Sequence, residues 1–265
     1  MTPQRTPRTW AVLNAAGLGF ALVANGLANA LPLNGRNTGE LSALYPNLFV
    51  PAGLTFSIWG IIYLGLIALV VYGFATAVRS EEHGVLEALG PWFLVSCLAN
   101  GAWIFAWHWQ LVGLSLGIML VILGALVAMY LRLGIGQRAA STGETWAVQV
   151  PVSVYLGWIT VATVANITAL AVDLGAPSYG ALPAQLTVAV LAAVLAITGA
   201  VLWTRRDLAY GLVVVWAFVG IVLKRAGSPE AGSDLVHTAA TGGLAVLVLA
   251  LLATARARLR GGAAR

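Results

Sequence analysis

Charged side chains are scarce: 9% of the 265 residues are Asp, Glu, Lys or Arg, against about 25% in an ordinary globular chain. Too few charges exist to cover a water-facing surface, and with 60% hydrophobic residues the surrounding solvent must be lipid. There is one cysteine, Cys97, inside an apolar run, which excludes an intrachain disulfide and a paired-cysteine metal site. The three histidines, His83, His108 and His237, are scattered, and a metal site needs several converging donors, so no metal is expected. The sole lysine, Lys224, adjoins Arg225 at the end of an apolar run. With no carboxylate deep in any run to act as counter-ion, snorkelling to the interface explains it better than a Schiff base. The net charge of +5 arises from basic residues placed singly or in short groups beside apolar runs, which excludes nucleic acid as a partner. Nucleophile triads, phosphate-binding loops and dinucleotide fingerprints are also missing.

What is present is a series of apolar stretches, at about residues 10–32, 50–77, 88–109, 111–134, 147–173, 183–204, 208–224 and 235–256. Each is near or above the ~17 residues that cross a hydrocarbon core. A membrane-wide backbone must satisfy its own hydrogen bonds, and runs without period-two alternation select helices over a barrel. The expected fold class is therefore all-α, a polytopic membrane helix bundle of eight spans. Spans three and four are separated only by Gln110, which predicts a tight hairpin there.

Placing the N-terminus in the cytoplasm puts eleven of the fourteen basic residues inside, leaving Arg36, Lys224 and Arg225 outside. Basic residues are retained on the cytoplasmic side, so both termini are expected there, in a multi-pass cell-membrane protein. The first span competes with a signal peptide, because Arg5 and Arg8 precede a run ending in Ala28-Asn29-Ala30. Its length and its Asn14 and Asn25 favour a retained helix.

Composition breaks near residue 174: all eight asparagines and eight of the ten tryptophans precede it. Polar groups within a membrane are costly unless used, so the first five spans are expected to hold the chemistry. Trp10, Trp92, Trp109, Trp146 and Trp203 lie at span ends, where belt anchoring accounts for them. The deeper ones form stripes: Phe56, Trp59 and Tyr63 in the second span, Asn100, Trp103 and Trp107 in the third, Trp158, Ala162 and Asn166 in the fifth. Their spacing puts each set on one helix face. Such faces either enclose a flat apolar ligand with polar edges or pack against neighbouring helices, and periodicity does not choose. Gly113 and Gly117 form a GxxxG that favours close helix packing, within the chain or between the subunits of a homodimer.

Three segments resemble one family. PAGLTFSIWGIIY at 51–63, LANGAWIFAWHW at 98–109 and VYLGWITVATVANI at 154–167 are similar, in order and spacing, to the second-, third- and fifth-helix signatures of the TspO/MBR family, the tryptophan-rich sensory and translocator proteins. The resemblance covers roughly residues 8–174 and implies a five-helix bundle there, with 175–265 a three-helix extension. It further implies a pocket for tetrapyrroles, with Pro51 opening the second-helix motif and the aromatic, Asn and Ala stripes lining it, lidded by the loop around residues 33–49. One departure is ITALAVDLG after Asn166, without the Trp-Arg pair associated with sterol contact. The ligand-binding set is then Pro51, Phe56, Trp59, Tyr63, Asn100, Trp103, Trp107, Trp158, Ala162 and Asn166, with a tetrapyrrole as ligand and no catalytic residue. The expected function is a receptor or carrier of a planar hydrophobic molecule; alternatives are a secondary transporter of a small hydrophobic molecule and a porphyrin-modifying enzyme.

Overall fold

A computed structural model of the chain describes residues 7–31, 33–36, 38–79 and 84–263. The regular secondary structure among these residues is all helical. In chain order come α1 (Pro7–Ala30), a 3-10 turn (Leu33–Gly35), α2 (Thr38–Ser42), a second 3-10 segment (Gly53–Ser57), α3 (Ile58–Arg79), α4 (Gly84–Leu89), α5 (Trp92–His108) and α6 (Val112–Arg132). Then α7 (Thr142–Glu144) runs through a π-helical turn (Thr145–Gln149) into α8 (Val150–Asp173), followed by α9 (Ala181–Arg205), α10 (Leu208–Arg225) and α11 (Ser233–Ala263). Seven helical stretches are long and apolar enough to cross a membrane, which makes the chain an all-α, multi-pass membrane bundle. The remaining apolar run, 88–109, is interrupted: α4 ends at Leu89, Gly90 takes φ +48° and Pro91 precedes the 17 residues of α5. A proline that cannot donate, after a glycine in the left-handed region, breaks a helix there whatever the hydropathy.

The hairpin at Gln110 is as tight as its sequence requires. Gln110 has φ +57°, and Leu111 N–H bonds back to the Ala106 carbonyl at 2.9 Å. The second apolar run also differs from a plain helix. Its first residues, after Pro51, form the 3-10 segment, and α3 begins only at Ile58.

Packing closes α1, α5, α6, α8 and α3 into a ring, each touching the next and α3 returning to α1. Outside it, α9, α10 and α11 contact one another, and α10 lies along α8. The α8–α10 contact depends on Gly157, where a Cβ would come within 3.1 Å of the Tyr210 carbonyl oxygen and of Val213 Cβ. Small residues at such crossings let backbones approach and maximise dispersion contact, the main attraction between helices in lipid. Tyr210 hydroxyl bonds Thr160 across the same seam at 3.2 Å. At the start of α10, Asp207 accepts from the Tyr210 N–H at 3.2 Å and from the Tyr130 hydroxyl of α6 at 2.9 Å. One core of buried residues runs from Leu18 in α1 to Leu247 in α11, so the last three helices are packed onto the ring.

Gly113 and Gly117 do not mediate a close approach within the chain. A Cβ at Gly117 would meet nothing, and one at Gly113 only Leu170 Cδ1 at 3.9 Å. Trp92, Trp109, Trp146 and Trp203 are exposed on the outer surface, as span-end anchors require.

Candidate functional site

The three aromatic stripes converge inside the ring. Trp59 stacks on Tyr63, one turn away in α3, with centroids 5.5 Å apart, and meets Trp158 of α8 edge-on at 6.3 Å. Phe56 meets the same Trp158 edge-on at 5.8 Å. From α5, Trp103 and Trp107 stack with each other at 5.8 Å, and Tyr45 of the connecting loop tilts against Trp107 at 5.7 Å. Edge-on and offset contacts are the arrangements that ring quadrupoles favour.

Between these rings lies a cavity of about 50 Å³, lined among others by Pro51, Phe56, Trp59, Trp103, Trp107, Trp158, Ala162 and Asn166. A second cavity, of about 270 Å³, shares Phe56, Trp59, Trp103 and Thr38 with it and is lined in addition by Tyr63 and Asn25. Nine of the ten residues expected from the sequence thus line one of two adjoining spaces. Asn100 is the tenth and lies outside both linings. Its Nδ2 donates to the Tyr155 hydroxyl at 3.0 Å, and its Oδ1 accepts from Asn25 Nδ2 at 2.8 Å. It ties α1, α5 and α8 together below the rings.

Asn166 is partly satisfied by protein. Its Oδ1 accepts from Ser115 Oγ of α6 at 2.9 Å and, more weakly, from Trp103 Nε1 at 3.5 Å, while its Nδ2 reaches the Ala162 carbonyl at 3.4 Å. Four polar atoms around the cavities have no hydrogen-bond partner although buried: Trp107 Nε1, Trp158 Nε1, Tyr63 Oη and Thr38 Oγ1. Buried polar groups are normally paired, at a cost of roughly 1–3 kcal/mol when they are not. Four such atoms around one pair of cavities mark a place where something polar-edged can be accepted.

The roof is formed by α2 and the loop after it. Thr38, Ser42, Tyr45 and Val50 all face the smaller cavity. Asn47 fixes the loop by accepting from the N–H groups of Phe49 and Val50, each at 3.0 Å, and donating to the Tyr45 carbonyl at 2.9 Å. Upstream, Asn34 donates to the His108 carbonyl at 2.9 Å. Burial and, after it, the Asp173 carboxylate push the Tyr45 hydroxyl above its ordinary range, so it stays a donor at neutral pH.

From the other side the roof is braced by α10. Trp216 Nε1 donates to the Thr55 carbonyl at 2.9 Å, and the Ala52 N–H bonds to the Gly220 carbonyl at 3.0 Å. Periodicity does not reveal this contact, nor the roles of Ser115 and Tyr155, whose partners lie 51 and 55 residues away. His108 is fully buried with Nδ1 2.8 Å from the Ile104 carbonyl, and it does not line the cavities. His83 lies outside the described residues, among which no cluster of three or more His, Cys, Asp or Glu could hold a metal. A larger recess, about 1000 Å³, runs between α3, α8 and α10 past Ile61, Leu212 and Trp216; Ile61 and Leu212 are among the side chains exposed on the outer surface, and none of the sequence-predicted residues lines it.

Comparison with known proteins adds one finding. The model of a family described as TSPO-like protein matches residues 11–253, a stretch that takes in the ring, α9, α10 and most of α11. No curated protein and no solved structure matches the chain.

Proposed function

Because the chain belongs to the TSPO-like protein family, we propose that it is a membrane receptor or carrier that binds a planar hydrophobic ligand, of the tetrapyrrole class, between α3, α5 and α8. The observation that carries this reading is the pairing of an aromatic enclosure with four orphaned polar atoms, Trp107 Nε1, Trp158 Nε1, Tyr63 Oη and Thr38 Oγ1. Rings supply faces for stacking, and the orphaned donors supply the edge contacts. Trp59 and Trp158 are assigned to the ligand faces, Asn166 and the indole N–H groups to its edge, and Ala162 to the room it needs. Asn100 holds the helices that carry them.

Ligand pockets for molecules of this size occupy roughly 300–1,000 Å³, and the cavity between the rings is about 50 Å³. The adjoining space holds about 270 Å³, so a ligand seated between the rings themselves requires the 38–50 segment to lift from Trp107. Among the described residues no carboxylate, imidazole or ammonium lines either aromatic cavity, and the reading taken is binding. A proton-coupled transporter would draw on buried acids. Asp207 is one, but it sits at the end of α10 with both oxygens engaged.

In the same reading α5 is the eighth span, since its 17 residues meet the lower length for a crossing. Both termini are cytoplasmic, residues 8–174 form the binding unit, and 175–265 brace its roof. The test is quenching of tryptophan emission by protoporphyrin IX in the purified protein. Saturable quenching is expected, and Trp158→Leu with Asn166→Leu should weaken it at least tenfold. Unchanged affinity in that variant refutes the site.

A further inference from the structure

Beside the aromatic cavity, and sharing Ser42, Tyr45 and Val50 with it, lies a third space of about 180 Å³. Its far wall comes from the last three helices and their connections: Tyr179, Lys224, Arg225 and Glu230. Arg225 is 2% exposed, so its guanidinium is held away from solvent. Its neighbours satisfy it poorly. One terminal nitrogen stands 3.4 Å from Ser233 Oγ and 3.8 Å from Glu230 Oε2, the latter beyond hydrogen-bond range. Arg225 Nε and Glu230 Oε2 are both buried without a hydrogen-bond partner. Lys224 is exposed, and neither of the two ion pairs found among the described residues involves it.

A buried guanidinium with unmet N–H groups is expensive unless an anion completes it. Among the lining residues two cations face one carboxylate, and the Asp173 carboxylate acts on Tyr45 from outside the lining. Tyr45 lines both spaces and stands between them. The arrangement is a space with two cationic side chains in its wall, beside an aromatic one.

We infer that α10 and the α10–α11 connection supply an anion subsite for the ligand of the aromatic cavity, so that the preferred ligand is a planar hydrophobic carboxylate whose acid group lies against Arg225 and Lys224 while its rings lie among Trp59, Trp107 and Trp158. This rests on the pocket reading above and adds the chemical class of the ligand's polar end. It also gives the three-helix extension a direct part in binding. A carboxylate accepts bidentately from a guanidinium, and charge-assisted bonds of this kind are about twice as strong as neutral ones. Binding requires Tyr45 to turn aside with the roof, joining the two spaces.

The experiment compares protoporphyrin IX, a dicarboxylic acid, with its dimethyl ester, by tryptophan quenching in phosphatidylcholine nanodiscs, where no anionic lipid competes. The acid is expected to bind at least tenfold more tightly than the ester. Lys224→Gln with Arg225→Gln should abolish that preference while changing ester affinity less than twofold, and Arg225→Lys should retain most of it. Lys224→Glu, at an exposed position that does not endanger folding, should cut the preference at least threefold by itself. Equal binding of acid and ester by the native protein overturns the inference and leaves the aromatic pocket standing. So does a preference that survives both Lys224→Glu and the double variant. If neither acid nor ester quenches, the pocket itself is refuted, and the subsite with it.

Discussion

Gly220 offers a sharp test of whether the last three helices shape the proposed binding site. It lies in α10, against the segment that leads into α3. A methyl group there would overlap Thr55 Oγ1 and lie 2.9 Å from Pro51 Cβ and 3.0 Å from Thr55 Cβ. Pro51 and Thr55 are both buried, so neither can swing into lipid to make room. Inserting a methyl into a filled contact of this kind costs roughly 1–3 kcal/mol, and in a chain of this size each kcal/mol lowers Tm by about 2–4 °C. Gly220→Ala should therefore lower Tm by roughly 2–12 °C in detergent. It should also weaken protoporphyrin quenching, because the displaced segment carries Phe56 and Trp59 into the cavity.

Thr55→Ala removes the overlapping oxygen, so the double variant should recover part of the loss, with a coupling of about 0.5–3 kcal/mol between the two sites. Gly199→Ala is the control. Gly199 sits within α9 with nothing near its missing Cβ, and alanine there should be neutral or stabilising by up to about 1 kcal/mol through helix propensity. If Gly220→Ala matches the native protein in both Tm and porphyrin affinity, α10 does not set the position of residues 51–55.

Three further outcomes follow from the same structure. Gly136 has φ +76°, and a Cβ on it would strike the Arg205 backbone carbonyl, which cannot rotate away. Gly136→Ala should thus cost about 2–5 kcal/mol from left-handed strain and overlap together; a folded variant of native Tm on size exclusion and thermal melting would contradict this. Tyr130→Phe leaves Asp207 Oδ2, buried at the start of α10, without its 2.9 Å donor, and hydrogen bonds to charged groups are worth roughly 1.5–3 kcal/mol. A clear fall in Tm is expected, and no fall would show that solvent already serves that oxygen. For topology, Cys97 is 2% exposed and should resist a membrane-impermeant maleimide. Ala263→Cys in a Cys97→Ser background should label in inside-out but not right-side-out vesicles, and the reverse pattern would invert the proposed orientation.

The grouping of the aromatic side chains was legible in the sequence, because a helix puts residues three, four and seven apart on one face. Phe56, Trp59 and Tyr63, like Trp103 and Trp107, needed only that rule to be grouped. Asn100 shows where the rule stops. It shares the face of Trp103, yet its amide is taken by Asn25 and Tyr155, an arrangement that depends on how α1 and α8 approach α5. Arg225 is the converse case. A basic residue at a span end reads as interfacial, and burial against Ser233 and Glu230 appears only when the α10–α11 connection folds back over it.

By itself the sequence determined the solvent, the helical class and the approximate spans. These follow from local quantities: hydropathy summed along a run, and a backbone that must satisfy its own hydrogen bonds in lipid. The tertiary structure decided which helices close the ring, that the roof is braced by Trp216 and Gly220, which polar atoms are left without partners, and that a cationic space adjoins the aromatic one. These depend on contacts between residues as far apart as Ala52 and Gly220, and no periodicity within one helix encodes the position of another.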